Sequence, residues 1–99
     1  MQRGGFVYIM ASNNRKVLYT GVTSDLVSRV IQHKQKAFPG SFTAKYNCGI
    51  LVYYESFPTI DEAIREEKRI KSGNRKAKEQ MIYSRNPEWM DLWNEIKDW

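Results

Sequence analysis

Two short runs of strand-forming residues, Phe6-Val7-Tyr8-Ile9-Met10 and Leu18-Tyr19-Thr20-Gly21-Val22, flank Ser12-Asn13-Asn14-Arg15, and this arrangement constrains the fold more than anything else in the chain. β-Branched and aromatic side chains suit a pleated, half-buried surface, and asparagine tolerates the backbone of a tight turn. The pattern predicts a β-hairpin over residues 6–11 and 17–22. A two-residue turn at Asn13-Asn14 places Tyr8 opposite Tyr19, so that two phenols share one sheet face. Such a pair is ordinary packing unless the residues that follow give it something to act upon.

Downstream, Ser24-Asp25 offers a helix N-cap followed by an acid in the first turn, predicting a helix from about Asp25 to Ala37 that Pro39-Gly40 breaks. A loop through Ser41–Asn47 leads to Ile50-Leu51-Val52-Tyr53-Tyr54, the clearest strand in the chain. Thr59 and Glu62 form a capping box that opens a second helix running to about Lys71. After Ser72-Gly73-Asn74 a third helix extends from Arg75 to about Ser84. Asn86-Pro87-Glu88 has the composition of a helix start, and Trp89, Leu92, Trp93 and Ile96 follow at the spacing of an amphipathic stripe, predicting a C-terminal helix over about 87–98.

Ninety-nine residues suffice for one domain with one modest core, and no apolar run approaches the ~20 residues of a membrane span. The start of the chain lacks the pattern of a secretory signal, so a soluble, cytoplasmic protein is expected. A lone cysteine, Cys48, leaves no internal disulfide and no cysteine zinc site. The net charge is +5, yet Glu88, Asp91, Glu95 and Asp98 against Lys97 make residues 86–99 net −3, which leaves +8 on residues 1–85. Much of this excess lies between Arg65 and Lys78. A charge run of this kind suits a solvated helix face and equally a polyanionic partner, of which nucleic acid is the leading candidate.

Polar side chains fall where a core should be. In the first helix Leu26, Val27, Val30 and Ile31 make the apolar stripe, and Arg29 and His33, four apart, project together beside it. In the second helix Ile60, Ala63, Ile64 and Ile70 define the stripe, and Glu67 lies in its middle with Glu66 at its edge. A carboxylate on a packed face is expensive unless it is paired with a cation or holds a metal. The residues alone leave both open: a structural ion pair, or Mg²⁺, for which one protein carboxylate suffices because water and substrate phosphate supply the other oxygens.

The set Tyr8, Tyr19, Gly21, Arg29, His33 and Glu67 resembles the GIY-YIG nuclease family, in its small single-domain bacterial, UPF0213-like form. The resemblance covers nearly the whole chain and includes Phe42-Thr43, Lys45-Tyr46-Asn47, Leu51 to Glu55, Glu62 to Lys71 and Asn86 to Trp89. The name motifs appear as Val7-Tyr8-Ile9 and Tyr19-Thr20-Gly21, and Phe42 stands where some homing-type members place a histidine.

The resemblance implies an α+β fold, a small three-stranded antiparallel sheet flanked by helices, and Mg²⁺- or Mn²⁺-dependent hydrolysis of DNA phosphodiesters. Glu67 would hold the metal, Arg29 would neutralise phosphoryl charge, one of the two tyrosines would take the proton of the attacking water, and His33 would assist that phenol or bind the phosphate. Gly21 would let the backbone turn and approach the substrate. Lys34, Lys45, Lys68 and Lys71 would track the strand, and Asn86 would stand for the asparagine that many members place after the glutamate. The rival expectations are a noncatalytic nucleic-acid-binding module and an accessory subunit of a nucleic-acid-processing complex.

Overall fold

The computed structural model describes residues 4–99. Strand β1 (Gly5–Ala11) lies at the centre of a three-stranded antiparallel sheet, between β2 (Leu18–Thr23) and β3 (Ile50–Phe57). The helices are α1 (Leu26–Lys34), α2 (Phe42–Lys45), α3 (Ile60–Ser72), α4 (Arg75–Arg85) and α5 (Trp93–Ile96). As the middle strand, β1 is buried on both faces: Val7, Tyr8, Ile9, Met10 and Ala11 are all 0 % exposed. Tyr8 and Met10 pack with Leu26 and Val30 of α1, with Leu51 and with Ile96. Val7 packs with Ala63 and Ile70 of α3, while Ile9 and Ala11 pack with Ile82 of α4 and with Trp89.

The hairpin forms with a different register. Tyr8 pairs with Gly21 and Met10 with Tyr19, because the connection is four residues, Asn13 to Lys16, closed by a bond from Ser12 N–H to the Val17 carbonyl. Arg15 takes the left-handed conformation there, φ 60°, and the Ser12 hydroxyl accepts from Val17 N–H. A shift of two residues keeps every side chain on its expected face, so the two phenols remain neighbours, with ring centroids 6.3 Å apart.

Thr59 caps α3 as the sequence implies, accepting from Glu62 N–H; α1 starts one residue later than expected, with Asp25 itself as the cap accepting from Ser28 N–H, and Asn74 caps α4 by accepting from Ala77 N–H. Helix α1 stops at Lys34, three residues early, because Lys36 turns left-handed at φ 52°. Ser41 caps a short helix, α2, where a plain loop was expected.

The C-terminal segment departs most. Asn86 ends α4 rather than starting a helix, Trp89 is left-handed at φ 54°, and only one turn, α5, forms. Leu92 N–H donates to the Leu51 carbonyl, and Asp91 Oδ1 accepts from Leu51 N–H, so the segment is stitched to the edge of β3. Those bonds cannot coexist with a helix that starts at residue 87, in which Leu92 N–H would bond back four residues. The aromatic stripe therefore splits: Trp89 packs on the Ile9 side of the sheet, and Leu92, Trp93 and Ile96 on the Tyr8 side.

Candidate active site

The site is assembled where Tyr8 crosses the edge strand. Gly21, directly opposite Tyr8, has no side chain, and a Cβ built there would lie 2.5 Å from Tyr8 Cζ and closer still to its hydroxyl. The phenol thus lies across β2 with its hydroxyl over Gly21. Gly21 sits in mid-strand without a positive φ, so its role is to seat this ring rather than to turn the backbone.

Tyr8 Oη lies 2.9 Å from His33 Nε2, and His33 Nδ1 lies 2.9 Å from the hydroxyl of Thr43, itself only 4 % exposed. Burial pushes the Tyr8 phenol well above its usual range; the neighbouring Tyr19 adds to this, Arg29 opposes it, and Glu67 raises it slightly. Burial, helped by the Arg29 cation, lowers His33 to about 4. Near neutral pH both groups are uncharged, so Tyr8 donates its proton to Nε2, and the imidazole N–H at Nδ1 donates to Thr43. Thr43 is the positioning residue that no spacing rule links to His33: it sits on a different helix, brought close by the 38–41 turn.

Tyr19 is held by rings, with His33 at 5.7 Å and Phe42 at 6.1 Å between centroids. Helix α3 lies on the opposite, Val7 face, yet its Glu67–Lys71 turn reaches round the edge of β2, where Lys71 Nζ stands 5.7 Å from the centre of the Tyr19 ring. Lys71 also pairs with Glu67 at 2.9 Å. The neighbouring Glu66 is gripped by both ends of the Arg69 fork, at 2.7 Å each, which lowers its carboxyl below the usual range. Of the two adjacent acids, Glu67 is the one within electrostatic reach of Tyr8 and held by a single flexible lysine.

Five predicted residues thus converge: Tyr8, Tyr19, Arg29, His33 and Glu67. The structure assigns others elsewhere. Lys34 Nζ binds Asp91 at 2.6 Å and the Gly49 carbonyl at 2.8 Å, anchoring the C-terminal segment instead of facing a ligand. Asn86 is buried; its Nδ2 donates to the carbonyls of Val52 and Met90, and its Oδ1 accepts from Met90 N–H. Val52 is the residue passed over where the β1–β3 register shifts, so Asn86 satisfies a bulge and a loop, neither of them part of the site. Lys45 and Lys68 are exposed and Lys71 lies beside Glu67.

The sequence and the fold both have counterparts among known proteins. Residues 4–80 match the GIY-YIG catalytic domain. The chain belongs to the GIY-YIG family. A UPF0213 protein of Staphylococcus epidermidis is 38 % identical over 78 residues, covering 78 % of this chain and 92 % of that relative. A UPF0213 protein of Haloquadratum walsbyi is 39 % identical over 80 residues, covering 77 % and 83 %. The solution NMR structure of the UPF0213 protein BH0048 from Bacillus halodurans superimposes with a TM-score of 0.55 at 29 % identity, covering 90 % of this chain and 93 % of that one. This GIY-YIG chain therefore shares its α+β architecture with a solved UPF0213 structure, and its family suggests a nuclease that binds nucleic acid and depends on a divalent metal. No described helix is long and apolar enough to cross a membrane.

The donor set limits the metal. Among the described residues no three His, Cys, Asp or Glu side chains gather into a cage. The residues present fit a hard, hydrated cation held by the Glu67 carboxylate together with water and substrate oxygens, as Mg²⁺ prefers.

Proposed function

We propose that this GIY-YIG protein is a Mg²⁺-dependent endonuclease, either nonspecific or selective for DNA structure, with a role in DNA repair or processing. The observation that carries the reading is the hydrogen bond from Tyr8 to a neutral His33 beside Arg29 and Glu67. It also favours Tyr8 over Tyr19 as the group that takes the proton. A buried phenol whose pKa is raised is a poor source of free phenolate, but it can accept a water proton while passing its own to His33 Nε2. Tyr8 has that acceptor; Tyr19 instead forms the wall between His33 and Phe42.

In this scheme Arg29 neutralises charge on the phosphoryl oxygens through its planar fork. Thr43 keeps the imidazole in the tautomer whose Nε2 is free to accept. Glu67, paired here with Lys71, would hold the metal, which would supply stabilisation of charge on the leaving oxygen. Lys45, Lys68 and Lys71 supply salt-dependent affinity for the backbone.

The test is incubation with single-stranded, double-stranded and branched DNA, with Mg²⁺ and with EDTA. Metal-dependent cutting that is lost in Glu67→Ala is expected. Failure to cut any substrate, with binding indifferent to EDTA, would instead identify a binding module.

A further inference from the structure

Next to these groups lies a set of aromatic side chains that the chemistry above does not use. Helix α2 presents Phe42 and Tyr46 to solvent, 47 % and 41 % exposed. Scattered exposed apolar side chains need no explanation, but a contiguous group bordering a site does. The Phe42 and Tyr46 ring centroids are 4.7 Å apart, and Phe42 continues to Tyr19 at 6.1 Å, so three rings form a row leading into the site. The row is fixed in place, because Ser41 caps α2 and Thr43, between the two rings in sequence, is bonded to His33.

Beside the row is a cleft of about 310 Å³ lined by Leu18, Tyr19, Thr20, Phe42, Lys71 and Lys78. Thr20, 4 % exposed, has a hydroxyl with no hydrogen-bond partner among the described residues. Ammonium groups border the rings, with Lys45 5.5 Å from the Tyr46 ring centre and Lys71 5.7 Å from that of Tyr19. Open aromatic faces interleaved with lysines match an unpaired nucleotide, whose base stacks on a ring while its phosphate meets an ammonium. A duplex keeps its base faces inside the stack and offers only groove edges and phosphates, so it has nothing to lay on Phe42.

Resting on the nuclease reading of the adjoining site, we infer that the substrate is a strand whose bases are unpaired next to the scissile phosphate. Phe42 and Tyr46 stack those bases, and Lys71 and Lys78 border the phosphates in the cleft. A fully paired duplex is a poor substrate; single strands and the single-stranded arms of junctions are good ones.

The experiment separates binding from cutting. An oligonucleotide carrying 2-aminopurine is titrated with the protein in EDTA, as a single strand and as a duplex, reading anisotropy for affinity and 2-aminopurine emission for stacking. The single strand binds tighter by about tenfold or more, and its emission falls on binding. Phe42→Ala and Tyr46→Ala each weaken the single strand by about tenfold and leave the duplex unchanged. Tyr46→Ala guards against indirect effects, since its ring touches Phe42 and not Tyr19. Equal affinity for the two forms, losses that are the same on both, or emission that does not change overturns the inference. Mg²⁺-dependent cutting of duplex that survives both alanine variants overturns it and leaves the nuclease reading intact. Stacking on a single strand with no cutting of any DNA does the reverse.

Discussion

The two faces of β1 are equally buried and chemically opposite. Val7, Ile9 and Ala11 meet Ala63, Ile70, Ile82, Tyr53 and Trp89, a packing whose polar groups stand apart: the Tyr53 phenol donates to Glu55, and the Trp89 indole N–H and the hydroxyl of Thr20, opposite Ile9, have no partner among the described residues. Tyr8 and Met10 meet Leu26, Val30, Leu51 and Ile96, but this layer also admits a phenol, an imidazole and the Thr43 hydroxyl. A polar group survives burial when it is hydrogen-bonded, and Tyr8, His33 and Thr43 satisfy one another in series. One face therefore supplies stability, and the other holds reactive groups out of water at a fixed distance.

The contrast can be broken most sharply at Glu67, which joins the reactive face from a helix packed on the apolar one. Glu67→Gln should reduce metal-dependent cleavage about a thousandfold with little change in melting temperature, since glutamine keeps the shape of the side chain and the pair it loses is a single i,i+4 helix pair to a half-exposed lysine. On the reactive face itself, Tyr8→Phe should cost about a hundredfold in kcat with modest change in substrate affinity, and Tyr19→Phe less, because only Tyr8 has a direct proton acceptor. A result with the two tyrosines reversed would move the proton transfer to Tyr19.

Ile9→Ala probes the other face: denaturant melts should show about 2–5 kcal/mol lost, with turnover per folded molecule unchanged. Gly21→Ala should act on both quantities, destabilising by about 1–3 kcal/mol through overpacking while displacing the Tyr8 hydroxyl and slowing cleavage. The smallest effect is in pH. His33 titrates near 4 in the fold and near 6.5 when unfolded, so the unfolded chain binds more protons between those values. Its contribution to stability is fully present above about pH 6.5 and is lost as pH falls toward 4. Melts of the wild type against His33→Gln across that interval isolate this from the carboxylates, and an NMR titration that finds the ring protonated at pH 6 would contradict it.

Much of the fold is legible because it follows local rules. Runs of β-branched and aromatic residues mark the three strands, and Thr59 marks the start of α3 where the structure places it. Glu67 stood out because its position on an apolar stripe conflicts with its charge, and such conflicts are where function interrupts packing. The same rules failed at the C-terminus: Asn86-Pro87-Glu88 has the composition of a helix start, but bonds to Leu51 and Val52 on β3 outweigh it. The contacts of Lys34 and Asn86 are hidden from local rules for the same reason, since each is held by a partner distant in sequence. The close contact of Gly21 with the Tyr8 ring is likewise visible only in the folded chain.

The amino-acid sequence by itself determined which runs form the sheet, where the helix opened by Thr59 starts, and that two phenols, an arginine, a histidine and an acid stand out from a basic chain. Those properties depend on periodicity and on groups a few residues apart. Only the tertiary structure decided that Tyr8 points its proton at His33, that Thr43 orients the ring, that Lys71 guards Glu67, and that Phe42 and Tyr46 line up beside Tyr19. Apart from the Lys71–Glu67 helix pair, whose place beside Tyr19 is set by the packing of α3, these contacts join elements through the sheet and the 38–41 turn, and no local rule encodes a distance between side chains that meet only after the chain has folded.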